Sequence, residues 1–203
     1  MPRELFETVR AGRRDALRSE IAAAWPVAPA RLVLEIGCGN GHFLTAYAAA
    51  HPDRACAGLD LRLERIAKAR RKRDRAGLDH LHFFRCDALD FLAELPADVR
   101  LADIFMLFPD PWPKKRHHKH RLLKPALLDT LAARSGQGSR FFFRTDFQPY
   151  YDEAAGIVAA HPAWALLPPG PFPFEHPTIF QARAVTFHSL GAVRRPAEGP
   201  QIQ

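Results

Sequence analysis

The sequence predicts an α/β fold, a mostly parallel sheet of seven strands with helices on both faces. Three observations carry that expectation. Short apolar runs alternate with stretches of helical spacing along most of the chain. The apolar runs are nearly continuous rather than alternating, as in strands buried on both sides. Glycines and prolines fall between the runs, as at Pro52, Gly77 and Pro109.

The elements follow in order. Arg3 to Ala24 has helical spacing and good helix formers and is broken by Pro26. Leu32 to Ile36 is a short apolar strand; glycines follow it, then a helix from His42 to Ala50 that ends at Pro52. Ala55 to Leu59 is a second strand, capped by Asp60, and Leu63 to Ala76 a basic helix closed by Gly77. Leu81 to Phe84 reads as a third strand, Ala88 to Leu95 as a short helix, and Leu101 to Phe108 as a strongly apolar fourth strand stopped by Pro109. A polar, proline-rich loop runs to His120, and Leu122 to Ala133 is helical. Arg140 to Arg144 is a fifth strand and Tyr150 to Ala160 a helix. Trp164 to Leu167 and Phe180 to Phe187 read as a final strand pair, joined through Pro168, Pro169, Pro171, Pro173 and Pro177. Little after Ser189 can be buried, so one domain is expected over residues 1–190, with a flexible tail over 191–203. Internal repeats are absent.

Length and composition narrow the class. With 203 residues, 47% of them hydrophobic, the chain can bury a full core and is too apolar to be disordered. No apolar stretch reaches the roughly 18 residues that span a bilayer, so no membrane partner is expected. Met1 to Phe6 is charged and reads as no signal peptide. Cys38, Cys56 and Cys86 are odd in number and form no Cys-x-x-Cys pair, so a reducing cytoplasm is the simplest setting. The net charge of +7 suggests a polyanionic partner. Cations cluster at Arg10–Arg18, Arg62–Arg75 and Lys114–Arg121. Each cluster alone reads as a solvated face; three in one small domain favour a nucleic acid. Monomer and homodimer are both compatible with the sequence.

In a parallel sheet ligands bind at the carboxyl ends of the strands, so the residues that follow each strand matter most. After the first strand comes Glu35-Ile36-Gly37-Cys38-Gly39-Asn40-Gly41. Gly37, Gly39 and Gly41 allow a tight turn and a close backbone approach to a cofactor. Their spacing is Gly-x-Gly-x-Gly, not the Gly-x-Gly-x-x-Gly of nicotinamide binders. An acidic residue such as Glu35 suits a cationic cofactor such as S-adenosylmethionine (AdoMet). Asp60, after the second strand, can accept ribose hydroxyls, and Asp87, after the third, can reach an adenine amino group. Three carboxylates after three successive strands point to an AdoMet-type Rossmann-like site, with a nicotinamide site as the competitor.

The fourth strand is followed by Phe108-Pro109-Asp110-Pro111-Trp112-Pro113 and then the basic run from Lys114 to Arg121. Two prolines fix the backbone around Asp110 and preorganise its carboxylate; the plainer reading is a turn cap. Trp112 can stack on a base or anchor the loop on the domain. His117, His118 and His120 stand among cations that repel a divalent ion, with no acidic ligand adjacent, so no metal is expected.

The Phe108 to Trp112 segment, with its basic continuation and Arg121, resembles the signature of the tRNA (guanine-N7)-methyltransferase family. Thr145-Asp146-Phe147 resembles that family's Thr-Asp-aromatic motif, and Arg3-Glu4-Leu5-Phe6, the glycine turn and Asp87-Ala88 match its pattern in order. The resemblance runs from about Arg3 to the last strand. It implies a class I AdoMet methyltransferase that transfers a methyl group to N7 of a tRNA guanine, most simply guanine-46 of the variable loop. It implies that Glu35, Asp60, Asp87 and Asp110 join the glycine turn in binding cofactor, and that Asp110 is catalytic. It further implies that Lys114, Asp146, Thr178 and Gln181 contact the substrate, and that Arg116, His117, His118, Lys119, His120 and Arg121 contact the RNA. The family's late motif is Thr-x-aromatic-Glu, whereas this chain reads Thr178-Ile179-Phe180-Gln181. Glutamine keeps an acceptor but adds a donor and removes a charge. Arg144, beside the Thr-Asp pair, is a second departure that could partly neutralise Asp146. A methyltransferase with another RNA or non-RNA substrate, or a weakly active tRNA-binding relative, therefore stays open.

Overall fold

The computed structural model describes the backbone of residues 3–176 and 186–196, and side chains from residue 11 onward within those spans. The elements are α1 (Arg3–Ala24), β1 (Arg31–Ile36), α2 (His42–Ala50), β2 (Ala55–Asp60), α3 (Leu63–Ala76), β3 (Leu81–Arg85), α4 (Ala88–Glu94), β4 (Arg100–Leu107), α5 (Pro125–Ala133), β5 (Ser135–Thr145), α6 (Gln148–Ala160), β6 (Trp164–Leu166) and β7 (His188–Arg194), with a 3-10 helix at Lys115–His120. They form one seven-stranded sheet in the order β3-β2-β1-β4-β5-β7-β6. β1 to β5 are parallel, and β7 runs antiparallel to β5 and β6. The predicted α/β architecture is therefore the observed one.

Strand side chains alternate between two cores. On one face Leu32, Leu34, Ile104, Met106, Phe141 and Phe143 pack with Leu17 and Ile21 of α1, Phe91 of α4, Leu128 of α5 and Val158 of α6. On the other, Val33, Phe105, Leu107 and Phe142 pack with Phe43, Leu44 and Tyr47 of α2 and with Ile66 and Ala69 of α3. The second face has fewer helices, and the proline-rich connection after β6 completes it. Phe172 lies 5.5 Å from the Phe142 ring, and Phe174 lies 5.7 Å from Phe43 and 5.4 Å from Tyr47. Pro171 and Pro173 restrict this segment, so less backbone entropy is lost when the two rings dock.

Four expectations need correcting. Helix α5 begins at Pro125 rather than Leu122, because Lys124 precedes a proline and is extended, with φ −140° and ψ 160°. The basic run is not open loop throughout but closes into the 3-10 helix. β5 starts at Ser135, ahead of the expected Arg140; its first residues, Ser-Gly-Gln-Gly-Ser, read as loop, and the pairing with β4 slips between Leu101 and Asp103. The last strand is not Phe180 to Phe187, most of which lies outside the described residues, but His188–Arg194. Residues 191–194 are thus no flexible tail: they are inserted between β5 and β6, with Leu190 and Ala192 buried. Gly191 makes the fit close there: a Cβ would come 3.2 Å from Leu167 Cδ1 and 3.3 Å from Phe142 Cε1, so either side chain would have to give by a few tenths of an ångström.

Truncation after Phe187 would remove β7, leaving β5 paired on one side only and β6 without its partner in the sheet. Such a chain is expected to lose cooperative thermal unfolding; a truncated protein with a native-like melting transition by circular dichroism would contradict the placement of β7.

Candidate active site

The sheet order changes direction between β1 and β4, so the chain leaves their carboxyl ends on opposite sides and a crevice opens there. It encloses about 570 Å³, within the ~300–1,000 Å³ usual for small-molecule sites. Glu35, Gly37 and Gly39 of the glycine turn, Asp60, Asp87, Asp110, Trp112 and His120 all line it, whereas Gly41 does not. Residues from four strand ends, foreseen one at a time in the sequence, therefore share one cleft.

Each wall has a local cause. Gly37, Gly39 and Gly41 have φ of 79°, 55° and 68°, a left-handed region costly for other residues. Gly41 is further constrained, because a Cβ would come within 2.7 Å of Phe83 Cζ and 2.8 Å of Ala69 Cβ. At Gly37 and Gly39 a Cβ would meet nothing within 4 Å, so the turn presents bare backbone to open space. Lys72 of α3 holds the turn from outside, donating to the Asn40 carbonyl at 3.0 Å.

Glu35 is only 3% exposed, and its Oε2 has no hydrogen-bond partner. Burial raises its pKa to about 8; a hydrogen bond from the Leu44 backbone opposes this, Asp60 reinforces it, and Lys72 opposes it. A buried carboxylate with a spare oxygen beside open backbone is a fitting seat for a cationic group. Asp60 is also buried, but it is engaged. Its Oδ2 accepts from Gly39 N at 3.1 Å and from Arg65 at 3.3 Å, and its Oδ1 accepts from Arg62 N at 2.8 Å. It thereby ties the glycine turn to the end of β2. Asp87 is the N-cap of α4, accepting from Leu89 N at 2.8 Å, which leaves it further lone pairs at the cleft. His42, at the start of α2, also lines the cleft; burial, then Lys72 and His176, hold its imidazole below the ordinary value.

The Asp110 loop is braced on both sides. Phe108 and Trp112 have φ of 50° and 44°, unusual for bulky residues. Phe108 N donates to the Arg144 carbonyl at 2.7 Å, fixing the exit from β4 to β5. Asp110 between them is exposed at the cleft. Trp112 packs on His120 and His117, with ring centroids 5.1 and 5.8 Å apart, so two of the three histidines are accounted for by aromatic packing. Among the described residues no group of His, Cys, Asp and Glu is arranged to hold a metal.

The basic run divides. Lys114, Lys115, Arg116 and Lys119 are exposed. Arg121 is 2% exposed and faces inward, which corrects its expected place on an RNA surface. Its Nε donates to the Pro111 carbonyl at 2.9 Å, its guanidinium pairs with Glu153 of α6, and it stacks 4.7 Å from the Tyr150 ring. It is the bolt that holds the Pro-Asp-Pro segment to the domain. Sequence reading missed this because Arg121 ends a run of surface cations; the neighbouring apolar Leu123 was the available hint. Thr145 Oγ1 accepts from Phe147 N at 3.2 Å, closing the turn after β5 and leaving Asp146 exposed beside the end of β4. Asp146 and Lys114 do not line the cleft itself. Arg144 is buried and directed to Glu175, at 2.7 and 2.9 Å, and to Ser189 at 2.8 Å. Thr178 and Gln181 lie outside the described residues.

Two stability effects follow. Between the ordinary carboxylate range and about pH 8, folded Glu35 keeps a proton that the unfolded chain has lost, so stability falls as pH rises through that window. Glu35→Gln should flatten the fall, gaining melting temperature over the parent at pH 8.5 but little at pH 5; parallel pH profiles would refute the assignment. Arg121→Gln should cost about 2 kcal/mol in denaturant unfolding, the scale of a charge-assisted hydrogen bond; an unchanged midpoint would contradict its role as a buried anchor.

The family model described as "Putative methyltransferase" matches residues 29–183. The chain is 38% identical to the tRNA (guanine-N(7)-)-methyltransferase of Nocardia farcinica over 75% of its own length and 57% of that relative. It is 34% identical to the enzyme of the same name from Rhodospirillum rubrum over 92% of its own length and 73% of that relative. Compared with these curated relatives, then, it spans between 57% and 73% of their length. Among solved structures, TrmN from Thermus thermophilus matches 87% of this chain and 48% of its own at a TM-score of 0.58 and 18% identity. A 16S rRNA (adenine(1408)-N(1))-methyltransferase from Catenulisporales acidiphilia matches 90% of this chain and 93% of its own at a TM-score of 0.57 and 17% identity. At that identity the structures speak to fold alone, a Rossmann-like methyltransferase fold. By the extent of the family-model match and by the identity and coverage of its curated relatives, the chain belongs to the tRNA (guanine-N7)-methyltransferase family.

Proposed function

We propose that this protein transfers a methyl group from AdoMet to N7 of a guanine in tRNA, with guanine-46 of the variable loop as the target and the cytoplasm as the place of action. The observation that carries the reading is the pairing, across one cleft, of the partnerless Glu35 oxygen with the proline-flanked Asp110. The names of the relatives supply the substrate class.

When bound, AdoMet supplies an electrophilic methyl group on a sulfonium. In this reading Glu35 and the Gly37–Gly41 backbone hold the cofactor's amino-acid end, Asp60 its ribose and Asp87 its adenine. N7 of guanine carries a free lone pair, so the protein needs no general base. Its work is orientation and electrostatics. As nitrogen gains the methyl, the base gains positive charge, and the carboxylates of Asp110 and Asp146 stabilise it. Asp110 needs no large movement, because the flanking backbone already fixes it at the cleft. Thr178 and Gln181 contact the base in this reading, and Lys114, Arg116 and Lys119 contact phosphates.

Transfer of labelled methyl from AdoMet to bulk tRNA, followed by nucleoside analysis, tests the reading directly. N7-methylguanosine is expected; tRNA binding without turnover, or methylation of another nucleoside, would overturn it. Asp110→Asn should lower the single-turnover rate by about 10²–10³-fold while tRNA binding persists; a near-parental rate would reduce Asp110 to a turn residue. AdoMet binding at pH 7 should release a proton as Glu35 ionises, detectable by calorimetry in buffers of different ionisation heat and absent in Glu35→Gln. Equal proton release in both proteins would exclude Glu35 as the partner of the cationic cofactor.

A further inference from the structure

The chain's charge is partitioned with respect to the cleft. Helix α3 holds seven cations against two acids, and residues 114–121 hold five cations and no acid. With 29 cations and 22 acids in all, the rest of the chain holds 17 cations against 20 acids. The positive excess therefore resides wholly in two elements, and both touch the same crevice. Trp112 and His120 of the basic loop line one side of it, while Arg62 and Arg65 at the head of α3 line the other. The third cluster, in α1, is spent differently: Arg14 and Arg18 converge on buried Glu94.

Within α3 the cations also divide. Arg65 bonds Asp60, Arg70 bonds Glu20 and the Phe83 carbonyl, Lys72 bonds the Asn40 carbonyl, and Arg73 bonds Asp74. Lys68, Arg71 and Arg75 are exposed and form no ion pair with a described residue. Their i, i+3, i+7 spacing sets them along one outer face, opposite buried Ile66 and Ala69. A helix of 14 residues is about 21 Å long, enough to follow several successive phosphates of one strand. A row of unneutralised cations running away from the cleft mouth is costly for the free protein through self-repulsion. A polyanion lying along it would relieve that repulsion.

We infer that the outer face of α3, with Lys68, Arg71 and Arg75, is an RNA-docking surface, and that the substrate RNA straddles the cleft between this helix and the basic loop of residues 114–121. The inference rests on the tRNA reading above and adds to it a second, separate contact track. Two tracks on opposite lips resist rotation of the RNA about the target base, which one track alone would allow. They also offset the few kcal/mol needed to unstack that base.

The test uses the triple variant Lys68→Ala, Arg71→Ala, Arg75→Ala in the full chain, because alanine at helix positions leaves helix propensity intact. Binding to unmodified bulk tRNA is measured across a salt series, with AdoMet affinity and melting temperature as controls. About tenfold or greater weakening at 0.15 M salt is expected, with a log–log salt slope shallower by about two to three, and with AdoMet affinity unchanged. A parental tRNA affinity and slope in this variant, while Lys115→Ala, Arg116→Ala, Lys119→Ala weakens binding, would overturn the inference and leave the tRNA reading standing. A parental protein that neither binds nor methylates tRNA would overturn both.

Discussion

Strands β1 to β5 all run the same way, so each is re-entered by a crossover that lies on one face of the sheet or the other. Both faces are thereby committed to burial, and the remaining architecture answers that demand. Four helices satisfy one face. On the other, α2 and α3 cover β1 to β3 and α2 reaches Phe105 of β4 through Phe43 and Tyr47, while Phe172 covers Phe142 of β5 and Phe174 packs on α2. The described part of the proline-rich connection, residues 167–176, is thus a structural layer without helix or strand. Its far end is held by Arg144, whose guanidinium lies 3.9 Å from the Phe172 ring and grips Glu175. The basic residue that stands out beside the Thr-Asp pair in the sequence is satisfied by this loop rather than by Asp146.

Electrostatically the cleft has an acidic floor and a positive rim. Glu35 and Asp60 are buried at its base, whereas the cations of α3 and of the basic loop stand at its edges. Glu35 keeps its proton up to about pH 8 and Asp60 is paired with Arg65, so the floor gains negative charge only when a cationic group draws the proton from Glu35. A small cation and a large anion can then occupy the two depths without competing.

The sequence was most legible where a residue type had one physical use. Left-handed glycines after an apolar run, carboxylates after three strand ends and prolines on either side of an aspartate each pointed to the cleft, and Gly37, Gly39, Glu35, Asp60, Asp87, Pro109 and Asp110 line it. Legibility failed where one residue type has two uses. Arg121 and Arg116 look alike in a cationic run, yet one is a buried anchor and the other a surface charge; only the position of Glu153 and Tyr150 in three dimensions separates them. Likewise, residues 191–194 begin with Gly191, hold only two small apolar side chains, Ala192 and Val193, and read as the start of a tail. They belong to a strand because β5 and β6 need a shared partner, a long-range requirement that no local pattern records.

The strained backbone at Phe108 and Trp112 has a consequence for how this protein can change. Both residues sit immediately before a proline, so the Pro-Asp-Pro segment is closed at each end by a conformation that most side chains resist. Glycine at either position would ease the left-handed backbone, but it would give up the ring contacts of Phe108 with Phe187 or of Trp112 with His117 and His120, and would enlarge the conformational freedom of the unfolded chain. Relief of strain and loss of packing therefore oppose each other at these two positions, and the bulky ring is what holds the aspartate's loop in one place.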